Sequence, residues 1–383
     1  MRCKIASWPL PRQKKINFVP KPTPIFINAR FLTEPLTGIQ RWGRETLTAL
    51  DQLIEDGVID GDKYSFTLLS PVAPENMPSY RHLPLKIKGL LRSHFWEQFE
   101  LPFIARGLLL NFKTTAPMFK HNKSMLIHDL QPFARPGTHS FIFNALYKLI
   151  VPIAARNAKV VTCLSNNTAA EVAKYLKIDT EDCIITGCGH EHILSIVPDD
   201  SVLSDNNLES NTYLLAVSSL NPNKNFSAIL RAIKLSGVKN KLVIAGGANP
   251  KIFRGSGIAE LPPNVIYVGR VSDEQLRSLY ENALGFVYPS FYEGWGLPPG
   301  EAMLLNCPVI ASNTTSLTQV CGDAVLYCDP ADDNSIAEQI RRLCEDDALR
   351  AQLIEDGFKQ SQKFTWRQVA LNVWRSIEKA RRE

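Results

Sequence analysis

The sequence predicts an α/β protein of two doubly wound domains, and three observations carry that prediction. Short apolar runs with strand character alternate with helical patterns in both halves of the chain. A polar stretch, PDDSVLSDNNLESNT, interrupts the alternation at 198–212. The chain is also 383 residues long, more than one hydrophobic core usually organises.

Composition fits an ordinary globular protein, with 45% hydrophobic and 21% charged residues. No apolar run reaches the roughly 18 residues that span a bilayer. The opening residues lack a signal-peptide core, because prolines 9, 11, 20, 22 and 24 and Lys14 and Lys15 break them, so a cytoplasmic location is expected. The eight cysteines nowhere form Cys-x-x-Cys pairs and read as reduced and structural. Residues 1–195 carry 24 Lys/Arg against 16 Asp/Glu, whereas 196–383 carry 19 against 22. That asymmetry favours an anionic partner for the first half, and it is too weak for nucleic acid.

Residues 1–24 form a basic, proline-rich segment expected to lie extended or mobile. The first domain is expected over 25–197. Its first strand, 25–28, leads through ARFLTEPLTG to a helix from Ile39, a strand-turn-helix order compatible with a phosphate-binding opening at Gly38. Strands follow at 64–70 and 108–111. Between them, Lys86, Lys88 and Arg92 mix with Leu90, Leu91, Phe95, Trp96 and Phe99. This suits a membrane surface, although most amphipathic helices bury their aromatic side against a sheet.

A strand over 124–128 ends in His128 and Asp129, at the carboxyl edge where open α/β sheets bind ligands. Helix 140–156, strand 159–163, helix 165–175 and strand 184–186 complete this half. His190 and His192 in GCGHEH invite a metal reading, but no third ligand accompanies them and none is expected. After the linker 198–212, the second domain is expected over 213–365, with strands at 213–218, 242–245, 265–268 and 325–328 alternating with helices. The final helix, 366–383, is expected to return to the first domain, anchored by Trp366 and Trp374.

The most informative run is GFVYPSFYEGWGLPPGEAMLLNCPVIAS, 285–312. A buried-strand pattern enters a loop with Gly294, Gly296 and Gly300, opens a short helix near Pro299 and returns to an apolar run. Glycines let backbone N–H groups approach a ligand, and a helix start adds unpaired donors and positive dipole. Glu293 and Glu301 bracket the loop as acceptors for hydroxyl groups. An anionic, hydroxyl-rich ligand is implied.

This run, with LLAVSSLNPNKNFSAILRAI and NVIYVGRVSDEQLRSLYENA before it, resembles the retaining glycosyltransferases of family four, which have the GT-B architecture. INARFLTEPLTGIQR, LIHDLQPF and VVTCLSNNTAAEVAKYL look like that family's first domain, so the resemblance covers most of the chain. It implies two Rossmann-like domains facing across a cleft and transfer of a mannose- or glucose-type hexose from a nucleotide sugar to a glycan or lipid-linked acceptor. Cell-surface polysaccharide or lipopolysaccharide synthesis, with peripheral membrane contact, goes with it.

Carried onto this chain, Glu301 would bind the donor ribose, and Glu293 with the N–H groups of Gly294, Trp295 and Gly296 would hold the sugar. The N–H of Leu297 and the charge of Lys224 would face the diphosphate, His128 would sit by the donor sugar, and Gly38 would approach from the first domain. No cofactor and no metal are implied, in keeping with the lack of an Asp-x-Asp-type pair near the loop.

Two departures stand out. Ser219 occupies the place of an arginine that many members carry five positions before Lys224, so Arg270 or Arg41 is expected to supply the cation. Pro299 and Gly300 replace residues with side chains or free N–H groups. The missing arginine makes a non-catalytic sugar-nucleotide-binding scaffold the alternative. Nicotinamide-dependent oxidoreduction wants a G-x-G-x-x-G fingerprint that neither half shows.

Overall fold

A computed structural model describes residues 21–138, 140–217, 221–247 and 262–382. Ser219 and most of the 1–24 segment lie outside the described residues. Seven parallel strands form the first sheet: β1 (Thr23–Asn28), β2 (Tyr64–Ser70), β3 (Leu85–Ile87), β4 (Leu108–Asn111), β5 (Lys123–Ile127), β6 (Val160–Cys163) and β7 (Ile184–Ile185). Their order is β3-β2-β1-β4-β5-β6-β7. The second sheet holds β8 (Tyr213–Val217), β9 (Lys241–Ala245), β10 (Val265–Gly269), β11 (Gly285–Tyr288), β12 (Val309–Ser312) and β13 (Leu326–Cys328). It is also parallel, in the order β10-β9-β8-β11-β12-β13.

Both sheets reverse their winding direction beside their first strand, at β1/β4 and at β8/β11. A crevice opens at such a switch point because the connections on either side leave in opposite directions. The two crevices face each other. Strands buried on both faces explain the near-continuous apolar runs, such as the fully buried segments LLLN of β4 and VIAS of β12.

Alternate residues divide the layers of the first sheet. Ile25, Ile27, Phe66, Leu68, Leu108 and Leu110 share a core with helix Gly38–Glu55 and the last helix, Trp366–Arg382. The opposite face, with Leu69, Leu109, Met125 and Ile127, is covered by helices Ser93–Phe99, Leu101–Ile104 and Phe141–Arg156. The last helix leaves the second domain and packs on helix Gly38–Glu55 and on β5, β6 and β7. Trp366 is buried there, and the Trp374 ring meets Tyr64 edge-on at 4.8 Å.

Two expectations need correction. β3 escaped the sequence reading because only three residues pair, at the sheet edge, with Lys86 turned to solvent. The 198–212 stretch, expected as a polar linker, is partly packed. It contains helix Ser201–Asp205, puts Val202 and Leu208 into the core and bonds to the second domain through Ser278 Oγ to Asp200 Oδ1 at 2.6 Å.

Candidate active site

The facing crevices enclose a cavity of about 460 Å³. Thr37, Gly38, Trp42, His128 and Asp129 line it from the first domain, and Lys224, Tyr288 and residues 293–298 from the second. Each position follows from the topology. Gly38 starts the helix after β1, His128 directly follows β5, Lys224 lies on the turn after β8, and the glycine loop follows β11.

Lys224 sits in the turn Pro222–Lys224, which Asn225 holds. Asn225 adopts φ 59°, a conformation Asn tolerates, and its side-chain amide donates to the carbonyls of Pro289 and Pro330 at 3.2 and 2.7 Å. The turn thereby delivers Lys224 Nζ to Glu293 Oε1 at 2.6 Å and Tyr288 OH at 2.8 Å. Tyr288 OH donates to the same carboxylate oxygen at 2.8 Å. Burial first, then the Glu293 charge, pushes the Tyr288 phenol well above its ordinary range, so it stays protonated. A cation, a carboxylate and a hydroxyl thus meet at one point on the cavity wall.

Across the cleft, the His128 ring donates from Nε2 to the Phe112 carbonyl at 2.8 Å and meets Trp42 edge-on. Burial lowers its pKa to about 4. At neutral pH it is an uncharged ring with Nδ1 as its remaining acceptor. Gly294 closes the gap between the domains, since a Cβ there would lie 2.3 Å from the His128 carbonyl oxygen. Gly296, at φ 136°, has no room for a side chain beside Leu317.

The helix following the loop, Leu297–Leu304, starts two residues before the expected position. Its second and third residues are Pro298 and Pro299, and the Gly300 N–H already bonds the Gly296 carbonyl at 3.2 Å. Only Leu297 therefore keeps a free first-turn N–H, and the anion-binding capacity of this end is smaller than the sequence suggested. The Trp295 indole is tied to the segment beneath the loop, donating from Nε1 to His190 Nε2 at 3.2 Å.

The GCGHEH segment underlies the loop. The His190 ring lies against Gly300, where a Cβ would come within 2.2 Å of Nε2, so Gly300 is a packing requirement. Burial lowers the His190 pKa to about 4. His192 Nε2 lies 3.0 Å from Glu301 Oε1, while Trp366 Nε1 donates to His192 Nδ1 at 3.2 Å. An indole can only donate, so Nδ1 is the acceptor and Nε2 carries the hydrogen that Glu301 receives. Glu301 is buried and lines neither this cavity nor its neighbour.

That neighbour, of about 390 Å³, shares Thr37, Gly38 and Leu297 with the first and adds Arg41, Arg270 and Val271. Arg41 is engaged across the domains by Asp273, and Arg270 stands in this second cavity, away from Lys224. Neither arginine therefore joins Lys224 in the cavity that the expected cation would occupy.

Residues 203–360 match the family model described as Glycosyl transferases group 1. Over those residues, less than half of the chain, the protein is similar to the group 1 glycosyl transferases. O-antigen chain mannosyltransferase B of Escherichia coli is 30% identical over 263 residues, covering 62% of this chain and 65% of that one. The match thus spans just under two thirds of that relative. O-antigen chain mannosyltransferase RfbU of Salmonella typhimurium is 25% identical over 333 residues, or 83% of this chain and 90% of the relative.

Among solved structures, sucrose-phosphate synthase from Thermosynechococcus elongatus superposes with a TM-score of 0.72 at 19% identity, over 93% of this chain and 98% of that one. WaaG, a glycosyltransferase involved in lipopolysaccharide biosynthesis, gives 0.68 at 14% identity, over 91% and 98%. At such identities these likenesses establish the fold, two Rossmann-like domains in the GT-B arrangement. Tyr288, Asn225, His190 and His192 are the site-forming residues that sequence reasoning left without a role. Only the two histidines had drawn attention, as a weak metal pattern.

Proposed function

We propose that this protein is a glycosyltransferase that moves a mannose- or glucose-type hexose, with retention, from a nucleotide sugar to a glycan or lipid-linked acceptor of a surface polysaccharide or lipopolysaccharide. The observation that carries the reading is the junction of Lys224, Tyr288 and Glu293 opposite His128 on one cavity wall. Relatives named as O-antigen mannosyltransferases support the substrate class.

In this reading the diphosphate approaches Lys224 and the loop N–H groups, and the ammonium is shared between Glu293 and the phosphate. The hexose lies between Glu293 and His128, whose neutral ring accepts a sugar hydroxyl at Nδ1. The nucleoside reaches toward Arg270 and Val271, and its ribose toward Glu301. When the bond from the anomeric carbon to phosphate breaks, negative charge grows on the leaving oxygen and the sugar becomes oxocarbenium-like. Lys224 and the N–H donors stabilise that charge, and the acceptor hydroxyl oxygen bonds to the face the phosphate leaves while its proton passes to the departing phosphate oxygen. With these fixed donors carrying the leaving group, activity is independent of a divalent metal, and the enzyme works at the inner face of the cytoplasmic membrane.

The test measures nucleoside diphosphate release across guanosine and uridine sugars with a lipid-linked acceptor, with and without chelator. Release from one donor class with unchanged chelated activity, and an α-linked product from an α-linked donor, is expected. Binding without turnover on any donor would sink the transferase reading. Glu301→Ala is expected to weaken nucleotide binding about tenfold.

A further inference from the structure

The outer layer of the first domain carries a surface that the donor site does not explain. Among the described residues, twelve of the eighteen exposed large apolar side chains fall within 87–149, about a sixth of the chain. Leu90, Phe95, Phe99, Phe103 and Phe119 form one group, and Phe141, Ile142, Leu146 and Leu149 another, each side chain between 53% and 94% exposed. Both belong to one layer. Paired residues of parallel strands point the same way, so the registers Leu109↔Lys123, Asn111↔Met125 and Met125↔Val161 put the cores under the two helical segments on a single sheet face.

The loop between them joins the two groups, because Asn157 Nδ2 donates to the Met118 carbonyl and Gln98 Nε2 to that of Ala116, both at 2.9 Å. Each helix is divided the same way. Ser93–Phe99 buries Trp96 and Glu97 and turns Phe95 and Phe99 outward, and Phe141–Arg156 buries Tyr147 and Val151 and turns Phe141, Ile142 and Leu146 outward.

Charge selects the occupant. Residues 84–159 hold eleven Lys/Arg against three Asp/Glu, and although Lys123 is buried and Lys113 is paired with Glu34, the balance stays positive. Of those acids Glu97 is fully buried and Glu100 accepts from the Leu90 and Leu91 N–H groups. Lys86, Lys88 and Arg92 are exposed beside Leu90 and Phe95. A second copy of the chain would bring the same positive charge to the contact, which repels. Aromatic and aliphatic side chains between lysines and arginines fit an anionic bilayer, where the rings enter the acyl boundary and the cations meet headgroups.

We infer that this outer helical layer of the first domain, centred on Phe95, Phe99, Phe103, Phe141 and Ile142, is a docking surface for an anionic lipid bilayer. It is coupled to the cleft, because the buried side of helix Phe141–Arg156 carries Tyr147, whose hydroxyl donates to the Asp129 carbonyl at 3.1 Å. Resting on the proposed function, the surface would hold the cleft beside membrane-borne acceptor.

Full-length protein is floated with phosphatidylglycerol-containing vesicles and with phosphatidylcholine vesicles. Binding is expected to the first only, to fall with salt, and to drop roughly tenfold or more in Phe95→Ser/Phe99→Ser/Phe103→Ser and in Phe141→Ser/Ile142→Ser. Lys86→Glu/Lys88→Glu/Arg92→Glu should remove the preference for anionic lipid. Nucleoside diphosphate release without lipid should be unchanged in all three, and circular dichroism should show them folded. Equal flotation of variants and parent, no preference for anionic vesicles, or a dimer in sedimentation velocity that the same substitutions dissolve would each overturn the surface. Retained flotation with no turnover on any donor would instead sink the transferase reading alone.

Discussion

The two walls of the cleft are built in different ways. On the donor side the glycine loop, Glu293 and the helix after it come from one contiguous run, and its local chemistry is visible in order along the chain. The opposite wall and the floor are assembled from afar. His128 meets Gly294 across 166 positions of sequence and Trp366 meets His192 across 174. The donor wall supplies the charges, with Lys224 joining the contiguous run from the turn after β8, and the assembled wall supplies their orientation. If that division holds, substitutions on the donor wall cut turnover, whereas those beneath it shift affinity and stability by smaller amounts.

The largest effect is expected at Lys224. Removing the one cation held at Glu293 and Tyr288 should lower kcat by about 10²–10³. Steady-state assay of Lys224→Ala at saturating donor checks this. Tyr288→Phe keeps the ion pair and should retain more activity. A Lys224→Ala enzyme with near-normal kcat would mean that the charge on the leaving phosphate is met elsewhere, with Arg270 in the adjoining cavity the first place to look.

A stability effect comes next, and it belongs to both walls. Burial lowers the pKa of His128 and of His190 to about 4 from an ordinary value near 6.5. Between those values the unfolded chain binds protons that the native chain refuses, so the stabilisation present above pH 6.5 is lost as pH falls toward 4. Denaturant titration should show stability declining by up to about 1.4 kcal/mol per pH unit for each histidine in that window. His190→Gln should flatten the slope by about one proton. An unchanged slope would mean that His190 is solvated and does not pack against Gly300.

How much of this was legible follows the same division. Parallel strands buried on both faces leave apolar runs that sequence displays, so both sheets were readable except β3, whose three edge residues give too short a pattern. Glu293 and Lys224 were readable as chemistry, but their direct ion pair was not, because it depends on Asn225 holding a turn in a left-handed conformation. Gly300 appeared to be a loss at the helix start. It is explained only when His190, distant in sequence, fills the space. Likewise His192 shows its partners only after the last helix has crossed back to the first domain.

His192 itself is the third test. Its Nε2–H is the buried partner of Glu301, so His192→Ala should weaken nucleoside diphosphate binding about tenfold, the scale of one hydrogen bond to a charged group. The change should appear in nucleotide Kd and KM while kcat moves little. His192→Gln, whose amide can donate to the carboxylate, should recover part of the affinity. Loss of kcat with Kd unchanged would break the assignment of orientation to the floor and chemistry to the loop.

The smallest effect probes the most distant member. Trp366→Phe keeps the ring in the core and the backbone N–H on Glu191 Oε1, and deletes only the indole donor to His192 Nδ1. The imidazole is then free to move its hydrogen to Nδ1, which would turn a lone pair toward the Glu301 carboxylate. Glu301 alone still favours the Nε2–H form, so the loss of nucleotide affinity should be only about twofold to fivefold, part of one neutral hydrogen bond. Nitrogen chemical shifts of His192 report the tautomer directly. A single Nε2–H signal in the parent that becomes a mixture in Trp366→Phe, with affinity falling in step, would join the last helix to the donor site through one proton. Unchanged shifts and affinity would confine Trp366 to packing and leave Glu301 as the sole determinant of the His192 hydrogen.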